Sequence, residues 1–311
     1  AIRLNLLKQL HIKMRILIIG SKGFIGSHLI DHFSSIEGND VFGCDVLEGN
    51  SQKYFQVNKF SPDYNDLFNA HTFDLCIYAG GNGSVPYSLE NPDLDYQLNT
   101  QTVNTILSCL VRHQPECKFM HMSSAAVYGS PSKLPINEQA DISPISPYGW
   151  HKYLSEIICR KFYSLYNTKT ISLRVFAVYG ERLTKQLFWD IYLKTQKSND
   201  ISLFGTGNES RDFINIRDLV KAIEIVIEKG EFNGETYNVS SGTETTIFEA
   251  ANEFCRIYDE NLKVTFSGQT KIGDPINWRA DITRLSALGF RSGISLSEGL
   301  KNYVRWLKER E

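Results

Sequence analysis

Short, continuously apolar segments alternate with segments of helical periodicity along the first 180 residues of the chain. Residues 14–19 (MRILII) and 73–79 (FDLCIYA) are mostly apolar runs with one charged residue each, which is typical of strands buried on both faces of a parallel sheet. Helical periodicity follows the first run at residues 24–33, and longer helices are predicted at residues 92–113 and 148–166. This alternation predicts an α/β fold with a Rossmann-type, doubly wound parallel sheet.

The alternation loosens after residue 180, where shorter strands and helices are mixed. A length of 311 residues suggests two domains of about 150 residues each. We predict that residues 14–180 form the first domain, to which residues 213–243 return, and that residues 181–311 form a smaller mixed α/β domain for the substrate. Residues 1–13 are interpreted as an N-terminal extension, because charged residues interrupt them and they lack the apolar core of a signal peptide.

The composition is that of an ordinary globular protein, with 42% hydrophobic and 22% charged residues and a net charge of -2. A charge so close to neutral gives no sign of a nucleic-acid or membrane surface, and no apolar run approaches the roughly 20 residues of a membrane span. The 6 cysteines include no C-x-x-C pair and lie mostly in apolar segments, so we predict buried, reduced thiols in a cytoplasmic protein. Cysteine and histidine at metal-ligand spacing are absent, and no metal site is expected.

A glycine-rich turn joins the first predicted strand to the first helix, with the sequence GSKGFIG at residues 20–26. Glycines allow the backbone to approach a ligand closely, and the helix N-terminus offers N–H donors and a positive dipole end to a pyrophosphate. The spacing is G-x-x-G-x-x-G rather than the more usual G-x-G-x-x-G. We predict that this turn binds a dinucleotide through Gly20, Gly23, Phe24, Ile25 and Gly26.

Asp45 ends the second predicted strand, about 20 residues beyond the glycines. A carboxylate there suits the two ribose hydroxyls of NAD and would repel the 2′-phosphate of NADP, so NAD is the predicted cofactor. The alternative is that Asp45 is only a turn residue at the end of a strand. Three further positions that follow strands are expected to border the cofactor: Asn58, Ala79 and Gly80.

Tyr148 and Lys152 are four residues apart at the start of a predicted helix, which puts both side chains on one face. An ammonium near a phenol favours the phenolate, so we expect the pKa of Tyr148 to lie below its usual value of about 10. Such a tyrosine can exchange a proton with a sugar or alcohol hydroxyl, and Ser124 can hydrogen-bond the same hydroxyl. These three residues predict alcohol–ketone redox chemistry with a hydride carrier, although Tyr-x-x-x-Lys also occurs by chance in helices.

Arg211 lies in a glycine-containing segment, LFGTGNESRDF, at residues 203–213. A guanidinium in such a segment suits a planar, bidentate grip on a phosphate, so Arg211 is a candidate for binding the substrate. The alternative is a structural ion pair with Asp212 or Asp218.

In their order along the chain, these motifs resemble the extended short-chain dehydrogenases/reductases of the nucleotide-sugar epimerase/dehydratase type. The resemblance runs from residue 14 to the C-terminal helices. It is carried by the glycine turn, Asp45, SSAAVYG at 123–129, SPYGWHK at 146–152, LRVFAVYG at 173–180 and LFGTGNESRDFINIRDL at 203–219. It implies NAD in the Rossmann domain, a nucleotide-diphosphate sugar in the C-terminal region, and a homodimer formed by the helices at 92–113 and 148–166.

The resemblance also implies roles for single residues. Tyr148 would be the acid/base, Lys152 would hold the nicotinamide ribose, and Ser124 would bind the reacting hydroxyl. Asn99 matches a family asparagine near the cofactor, although an asparagine inside a helix is otherwise usually exposed. The remaining positions are Ser123 beside the cofactor, Ser84 between cofactor and sugar, and Arg211 on the phosphates of the nucleotide.

Departures from the family narrow the reaction. The 4,6-dehydratases carry an acid pair after the serine or threonine, whereas this chain has Ala125 and Ala126, so dehydration is not expected. Ala177, at a substrate-binding position, replaces a family asparagine that touches the substrate, so UDP-galactose cannot be carried over. The segment GSVPYS at residues 83–88 resembles epimerases acting on modified or N-acetylated hexoses in surface-polysaccharide pathways. His151, next to the predicted catalytic lysine, is expected to be peripheral.

Three functions remain open at this point. The first is an NAD-dependent 4-epimerase, which oxidises C4 of a nucleotide-diphosphate hexose to a transient 4-keto sugar and reduces it on the other face. The second is a nucleotide-sugar 4-dehydrogenase or 4-ketoreductase that makes a single hydride transfer. The third is a binding protein that senses NAD without catalysis, against which the intact set of Ser124, Tyr148 and Lys152 argues.

Overall fold

The computed structural model describes residues 13–269 and 273–310, and its centre is a parallel sheet of 7 strands. These strands are β1 (Arg15–Ile19), β2 (Asp40–Asp45), β3 (Tyr54–Gln56), β4 (Leu75–Tyr78), β5 (Lys118–Ser124), β6 (Thr170–Val175) and β10 (Asn233–Val239). Their order across the sheet is β10-β6-β5-β4-β1-β2-β3, and every neighbouring pair is parallel. The prediction of a Rossmann-type α/β fold is confirmed.

The described helices either cover the two faces of this sheet or pack with a smaller second sheet. They are α1 (Phe24–Ser35), α2 (Asn65–Ala70), α3 (Val85–Glu90), α4 (Pro92–Tyr96), α5 (Thr102–His113), α6 (Pro147–Tyr166), α7 (Gln186–Thr195), α8 (Ile216–Lys229), α9 (Ile247–Tyr258), α10 (Thr283–Ala287) and α11 (Leu296–Lys308). The long helix predicted at residues 92–113 is interrupted, because a π turn, Gln97–Gln101, separates α4 from α5. Asn99 lies buried within that turn and not on the surface.

Strand β1 shows how one apolar run packs against two layers. Ile16 and Ile18 join the apolar cluster that contains α1 and α8, whereas Leu17 and Ile19 join the cluster that contains α5 and α6. Successive side chains of a strand point to opposite faces, so a strand covered on both sides must be apolar throughout. The neighbours of β1 in the sheet are β2 on one side and β4 on the other, so the order of the strands reverses at β1. Such a reversal opens a crevice at the carboxyl ends of the strands.

A second, smaller sheet follows the main one. Its strands are β7 (Ala177–Tyr179), β9 (Ser210–Asn215) and β11 (Glu244–Thr246), and β8 (Asp200–Leu203) separately pairs with β12 (Lys263–Phe266). Helices α7, α9 and α11 pack with this part of the chain in their own apolar cluster. The sequence pattern missed β7, β9 and β11, because they are short and partly polar and depend on partners distant along the chain. The domain boundaries given above stay a prediction.

Some expectations concern compartment and chain ends. All 6 cysteines are buried and free of disulfides. Within residues 13–269 and 273–310, no helix is long and apolar enough to cross a membrane. The interpretation of residues 1–13 as an extension falls almost wholly on residues 1–12, which lie outside the described residues. That interpretation and the cytoplasmic location stay predictions.

Candidate active site

The glycine turn brings the ends of β1 and β4 into backbone contact. Gly20 has a φ of +85°, and a Cβ added to it would lie 2.5 Å from the backbone nitrogen of Gly80. A Cβ on Gly26 would overlap the carbonyl oxygen of Gly20. Only glycines fit this packing, and it leaves bare backbone at the mouth of the crevice.

The turn leads into the N-terminus of α1. Gly23 is the N-cap residue, no described side chain caps the helix, and its first turn contains no acidic residue. The first N–H groups of the helix, which include those of Phe24 and Ile25, therefore create a region of positive potential that no described side chain neutralises. This is the arrangement that a pyrophosphate requires.

Asp45 lies half-buried at the end of β2 and borders the glycine turn. One carboxylate oxygen accepts a hydrogen bond from the backbone N–H of Lys22 at 2.8 Å, and the other accepts from Val46 N–H at 2.8 Å. Asp45 therefore shapes a turn and also presents a carboxylate beside the dinucleotide motif. Asn58 is exposed beyond β3, and its side-chain oxygen accepts from two N–H groups of its own loop. Its contact with the cofactor stays a prediction.

The segment after β4 meets the buried asparagine of the π turn. Ala79 is held to β1 by its N–H, which donates to Ile19 at 2.9 Å, and the next residues are glycines. A Cβ on Gly81 would lie 2.5 Å from Oδ1 of Asn99. That oxygen is buried and accepts no hydrogen bond from a described residue. An unpaired buried acceptor costs about 1–3 kcal/mol, so it fits a donor supplied by a ligand. Glycine turn, helix N-terminus, Asp45 and Asn99 together fit NAD.

Two neighbouring serines at the end of β5 have different hydrogen-bond partners. The Ser124 hydroxyl accepts from Ala126 N–H at 3.2 Å and also hydrogen-bonds the side chain of Tyr148. The Ser123 hydroxyl donates to Glu156 at 2.6 Å. The side chain of Ser123 thus hydrogen-bonds within the protein, and its contact with the cofactor stays a prediction.

Tyr148 and Lys152 lie one turn apart at the start of α6. The N–H of Tyr148 donates to the hydroxyl of Ser88 at 3.1 Å, which fixes the helix start against α3. The ammonium of Lys152 donates to the carbonyl of Met122 at 3.0 Å and lies 5.9 Å from the centre of the Tyr148 ring. Since Ser124 hydrogen-bonds Tyr148, the structure brings all three predicted catalytic residues together.

Burial dominates the electrostatics of this group. It raises the pKa of Tyr148, although the hydrogen bond with Ser124 acts to lower it. The expectation of a lowered pKa is therefore wrong, because burial destabilises the phenolate more than the hydrogen bond from Ser124 stabilises it. Burial also lowers the pKa of Lys152 to about 8, against the attraction of Asp95, and the charge of Lys185 lowers it further.

A fully bonded ionic network lies one turn further along α6. Glu156 accepts from Ser123 and receives both arms of the Arg174 guanidinium, at 2.9 and 2.7 Å. Arg174 also donates to the hydroxyl of Tyr128 at 2.8 Å, and that hydroxyl donates to Asn238 at 2.7 Å. The network joins α6, β5, β6 and β10.

Arg211 lies on β9 beside β7, whose first residue, Ala177, pairs with Phe213. One nitrogen of Arg211 donates to the carbonyls of Ser210 and Ile276 at 2.8 and 3.2 Å. The guanidinium lies 5.5 Å from the ring of Trp278, which packs in the same apolar cluster as Tyr148. Through Trp278, Arg211 is therefore connected to the apolar cluster against which Tyr148 packs.

The structural alternatives for Arg211 are not realised. Asp212 is bonded by the hydroxyls of Ser240 and Ser241, and Asp218 accepts from the backbone N–H groups of Gly293 and Ile294. No carboxylate of residues 13–269 and 273–310 lies within ion-pair distance of Arg211, and burial lowers its pKa. A half-buried guanidinium that makes no ion pair with a described residue, and on which Asp274 and Glu209 act only at longer range, suits an anionic ligand.

The loop before α3 contributes Ser84 and meets a lysine from beyond β7. Ser84 caps α3 by accepting from Tyr87 N–H at 3.3 Å. A Cβ on the adjacent Gly83 would lie 3.1 Å from the ammonium of Lys185. Burial lowers the pKa of Lys185, and no ion pair to another described residue balances its charge. Lys185 is a second cation without an ion pair to a described residue, and its charge acts on Lys152.

Several contributors escaped the sequence patterns. They are Ser88, Asp95, Glu156, Arg174 and Lys185, whose partners lie far away along the chain. The ring of His151 is mostly buried and bonds Asp95, and its expected peripheral place in the chemistry stays a prediction. No described group of three or more histidine, cysteine, aspartate or glutamate residues could hold a metal ion.

Comparison with known proteins identifies relatives over nearly the whole chain. A profile of the NAD dependent epimerase/dehydratase family matches residues 16–240. The chain is 31% identical over 313 residues to a protein of Methanocaldococcus jannaschii named putative UDP-glucose 4-epimerase, an alignment that covers 94% of this chain and 98% of the relative.

Solved structures show the same architecture. The UDP-glucuronic acid 4-epimerase from Bacillus cereus, in complex with UDP-glucuronic acid and NAD, has a TM-score of 0.88 at 24% identity, over 96% of this chain and 100% of that one. The UDP-glucose 4-epimerase from Thermotoga maritima with UDP-glucose has a TM-score of 0.85 at 26% identity, over 96% and 99%. The first likeness shows the fold alone.

Proposed function

This chain belongs to the NAD dependent epimerase/dehydratase family and is an NAD-dependent enzyme, and on that premise we propose that it epimerises C4 of a nucleotide-diphosphate hexose through a transient 4-keto sugar. The observation that carries the proposal is the grouping of Ser124, Tyr148 and Lys152. Beside it, the dehydratase acid positions hold the buried methyl groups of Ala125 and Ala126. Such a site moves a proton and a hydride at one carbon but has no acid there to expel a hydroxyl.

The glycine turn, Asp45 and Asn99 would hold NAD, which would supply the hydride acceptor for C4 and the hydride donor for the opposite face of the sugar. Tyr148 takes the proton from the C4 hydroxyl and later gives it back. Ser124, which hydrogen-bonds Tyr148, can donate to the same oxygen when the sugar is bound. Lys152 is charged at neutral pH, since its pKa is about 8, so it stabilises the phenolate and holds the nicotinamide ribose.

The substrate lies between the catalytic group and Arg211. Arg211 and Lys185 are two cations that make no ion pair with a carboxylate of the described residues, and together they suit a diphosphate. Relatives named for UDP-sugars support a uridine diphosphate hexose. Ala177, half-buried on β7, leaves room where an amide would otherwise touch the sugar. A place in surface-polysaccharide synthesis stays a prediction.

The test is incubation of the purified enzyme with UDP-, GDP- and dTDP-hexoses, with the sugars analysed by NMR and NADH by its near-ultraviolet absorbance. An isomeric sugar without net NADH supports the epimerase. A keto sugar with stoichiometric NADH identifies the alternative, a dehydrogenase, and overturns the proposal. Tyr148→Phe should lower kcat about 1000-fold while NAD still binds. Tyr153→Phe, on the same helix, is the matched control.

We also propose a homodimer formed through α5 and α6. Several large apolar residues of α6 are exposed, among them Trp150, Ile157 and Leu165. A face of this kind on a helix of 20 residues suits burial against a second copy. A monomeric mass in light scattering at micromolar concentration would contradict the dimer.

A further inference from the structure

A buried carboxylate that the mechanism does not use connects three parts of the site. Asp95, on α4, is 0% exposed. One of its oxygens lies 2.5 Å from Nδ1 of His151, and the other accepts from the amides of Asn82 and Asn99 at 2.6 and 3.0 Å. These partners come from the loop after β4, the π turn and the catalytic helix α6.

The chemistry of a carboxylate determines which way Asn99 faces. An ionised carboxylate only accepts hydrogen bonds, so Asn99 must turn its NH₂ group toward Asp95. Its oxygen is then directed toward Gly81, where it is buried without a donor. A carboxamide without Asp95 beside it could flip and present NH₂ to the same place. Asp95 therefore determines whether Asn99 presents its oxygen, an acceptor, or its NH₂ group, a donor, to the crevice.

The same carboxylate shapes the loop that leads to Ser84. The amide of Asn82 donates to Asp95 and to the carbonyl of Ser84, and its oxygen accepts from the N–H of Ser84 at 3.0 Å. One charge thus orients two amides, one in the π turn and one in the loop before α3.

Hydrogen bonds lock the π turn to the catalytic helix on the other side of Asp95. The Thr100 hydroxyl donates to the carbonyl of His151 at 2.9 Å. The Ser155 hydroxyl contacts the carbonyls of Asn99 and His151 at 2.9 and 2.8 Å. A π turn widens a helix locally and is frequent at functional sites. Here it places Asn99 one turn beyond Asp95 and against the helix that carries Lys152.

We propose that Asp95 is a positioning residue for the cofactor, which acts by turning the carboxamide oxygen of Asn99 toward NAD. The proposal rests on the proposed function, because it assumes that NAD binds along the crevice. Asp95 itself does not touch the cofactor. Its effect on NAD binding should therefore pass through Asn99 and disappear when Asn99 is replaced.

The test is a double-mutant cycle on NAD affinity, measured by calorimetry on the full chain after removal of co-purified NAD. Asp95→Ala and Asn99→Ala should each weaken NAD binding about 10-fold, and the double variant should be no weaker than the weaker single variant. Asp93→Ala is the matched control, since Asp93 is an exposed aspartate of the same helix, and it should leave the affinity unchanged.

The outcomes separate this inference from the proposed function. If Asp95→Ala melts like the wild type and binds NAD within 2-fold of it, or if the two single effects multiply in the double variant, the inference is overturned. Where Asp95→Ala does not fold, Asp95→Asn keeps the shape, and the same cycle with Asn99→Ala decides. A wild-type protein that binds no NAD overturns the proposed function itself, whatever the variants do.

Discussion

Two buried charges on helix α6, one turn apart, are treated in opposite ways. Lys152 is 4% exposed and Glu156 is 1% exposed. Glu156 accepts from Ser123 and from both arms of Arg174. Lys152 has one hydrogen bond, to the carbonyl of Met122, and no carboxylate of the described chain lies within ion-pair distance of it.

The difference distinguishes a charge that stabilises the fold, Glu156, from one that is available to a ligand, Lys152. A buried ion pair with satisfied hydrogen bonds ties elements together, and removing one partner leaves an uncompensated charge. A buried ammonium without a partner is unfavourable by itself, and its lowered pKa expresses that cost. Groups left in this condition are typical of functional sites, where a ligand or reacting group completes them.

The largest effect on stability is expected when the ion pair between Glu156 and Arg174 is broken. Glu156→Gln leaves the guanidinium of Arg174 buried without its counter-charge, and we expect a loss of about 3–5 kcal/mol in the free energy of unfolding. Urea denaturation measures it. Glu116→Gln is the matched control, because Glu116 pairs with Lys169 on the surface and should cost below about 1 kcal/mol. Equal losses in the two variants would contradict the comparison.

Replacing Lys152, whose charge has no ion-pair partner, should change the free energy of unfolding in the opposite direction. Lowering the pKa of Lys152 from 10.5 to about 8 corresponds to roughly 3 kcal/mol of unfavourable burial. We expect Lys152→Met to stabilise the protein without NAD by up to about that amount and to reduce turnover sharply. Urea denaturation and product analysis check the two parts. A Met variant that is less stable than the wild type would show that the ammonium holds the fold together.

The pH dependence of this difference tests its cause. Because the folded-state pKa of Lys152 lies below the unfolded value, the cost is complete below pH 8 and disappears as pH rises toward 10.5. In that window the unfolded chain binds the extra proton, so the stability of the wild type should rise relative to Lys152→Met by about 1 kcal/mol per pH unit. The measurement is urea denaturation of both proteins from pH 7 to above 10. A constant difference would attribute the effect to packing.

The two charges also show which parts of the site a sequence reveals. Tyr148 and Lys152 were predicted because their spacing is local, and the glycine turn was predicted because its conformational demand is local. The Glu156–Arg174 and Asp95–His151 contacts join residues 18 and 56 positions apart, and no spacing rule connects them. The sign of the Tyr148 pKa shift was wrong for the same reason, since burial depends on the complete fold.

The smallest effects are expected at two adjacent serines, one on each side of the comparison. Ser123→Ala removes one donor from Glu156, which keeps Arg174, so we expect a loss of about 1.5 kcal/mol in the free energy of unfolding. Ser124→Ala removes the cap on Ala126 and the donor to the reacting oxygen, and it should cost less stability but lower kcat at least about 10-fold. Urea denaturation and steady-state rates on the same two variants provide both readouts. If Ser124→Ala is the more destabilising change, or if it leaves kcat intact, the assignment of a structural role to Ser123 and a functional role to Ser124 is wrong.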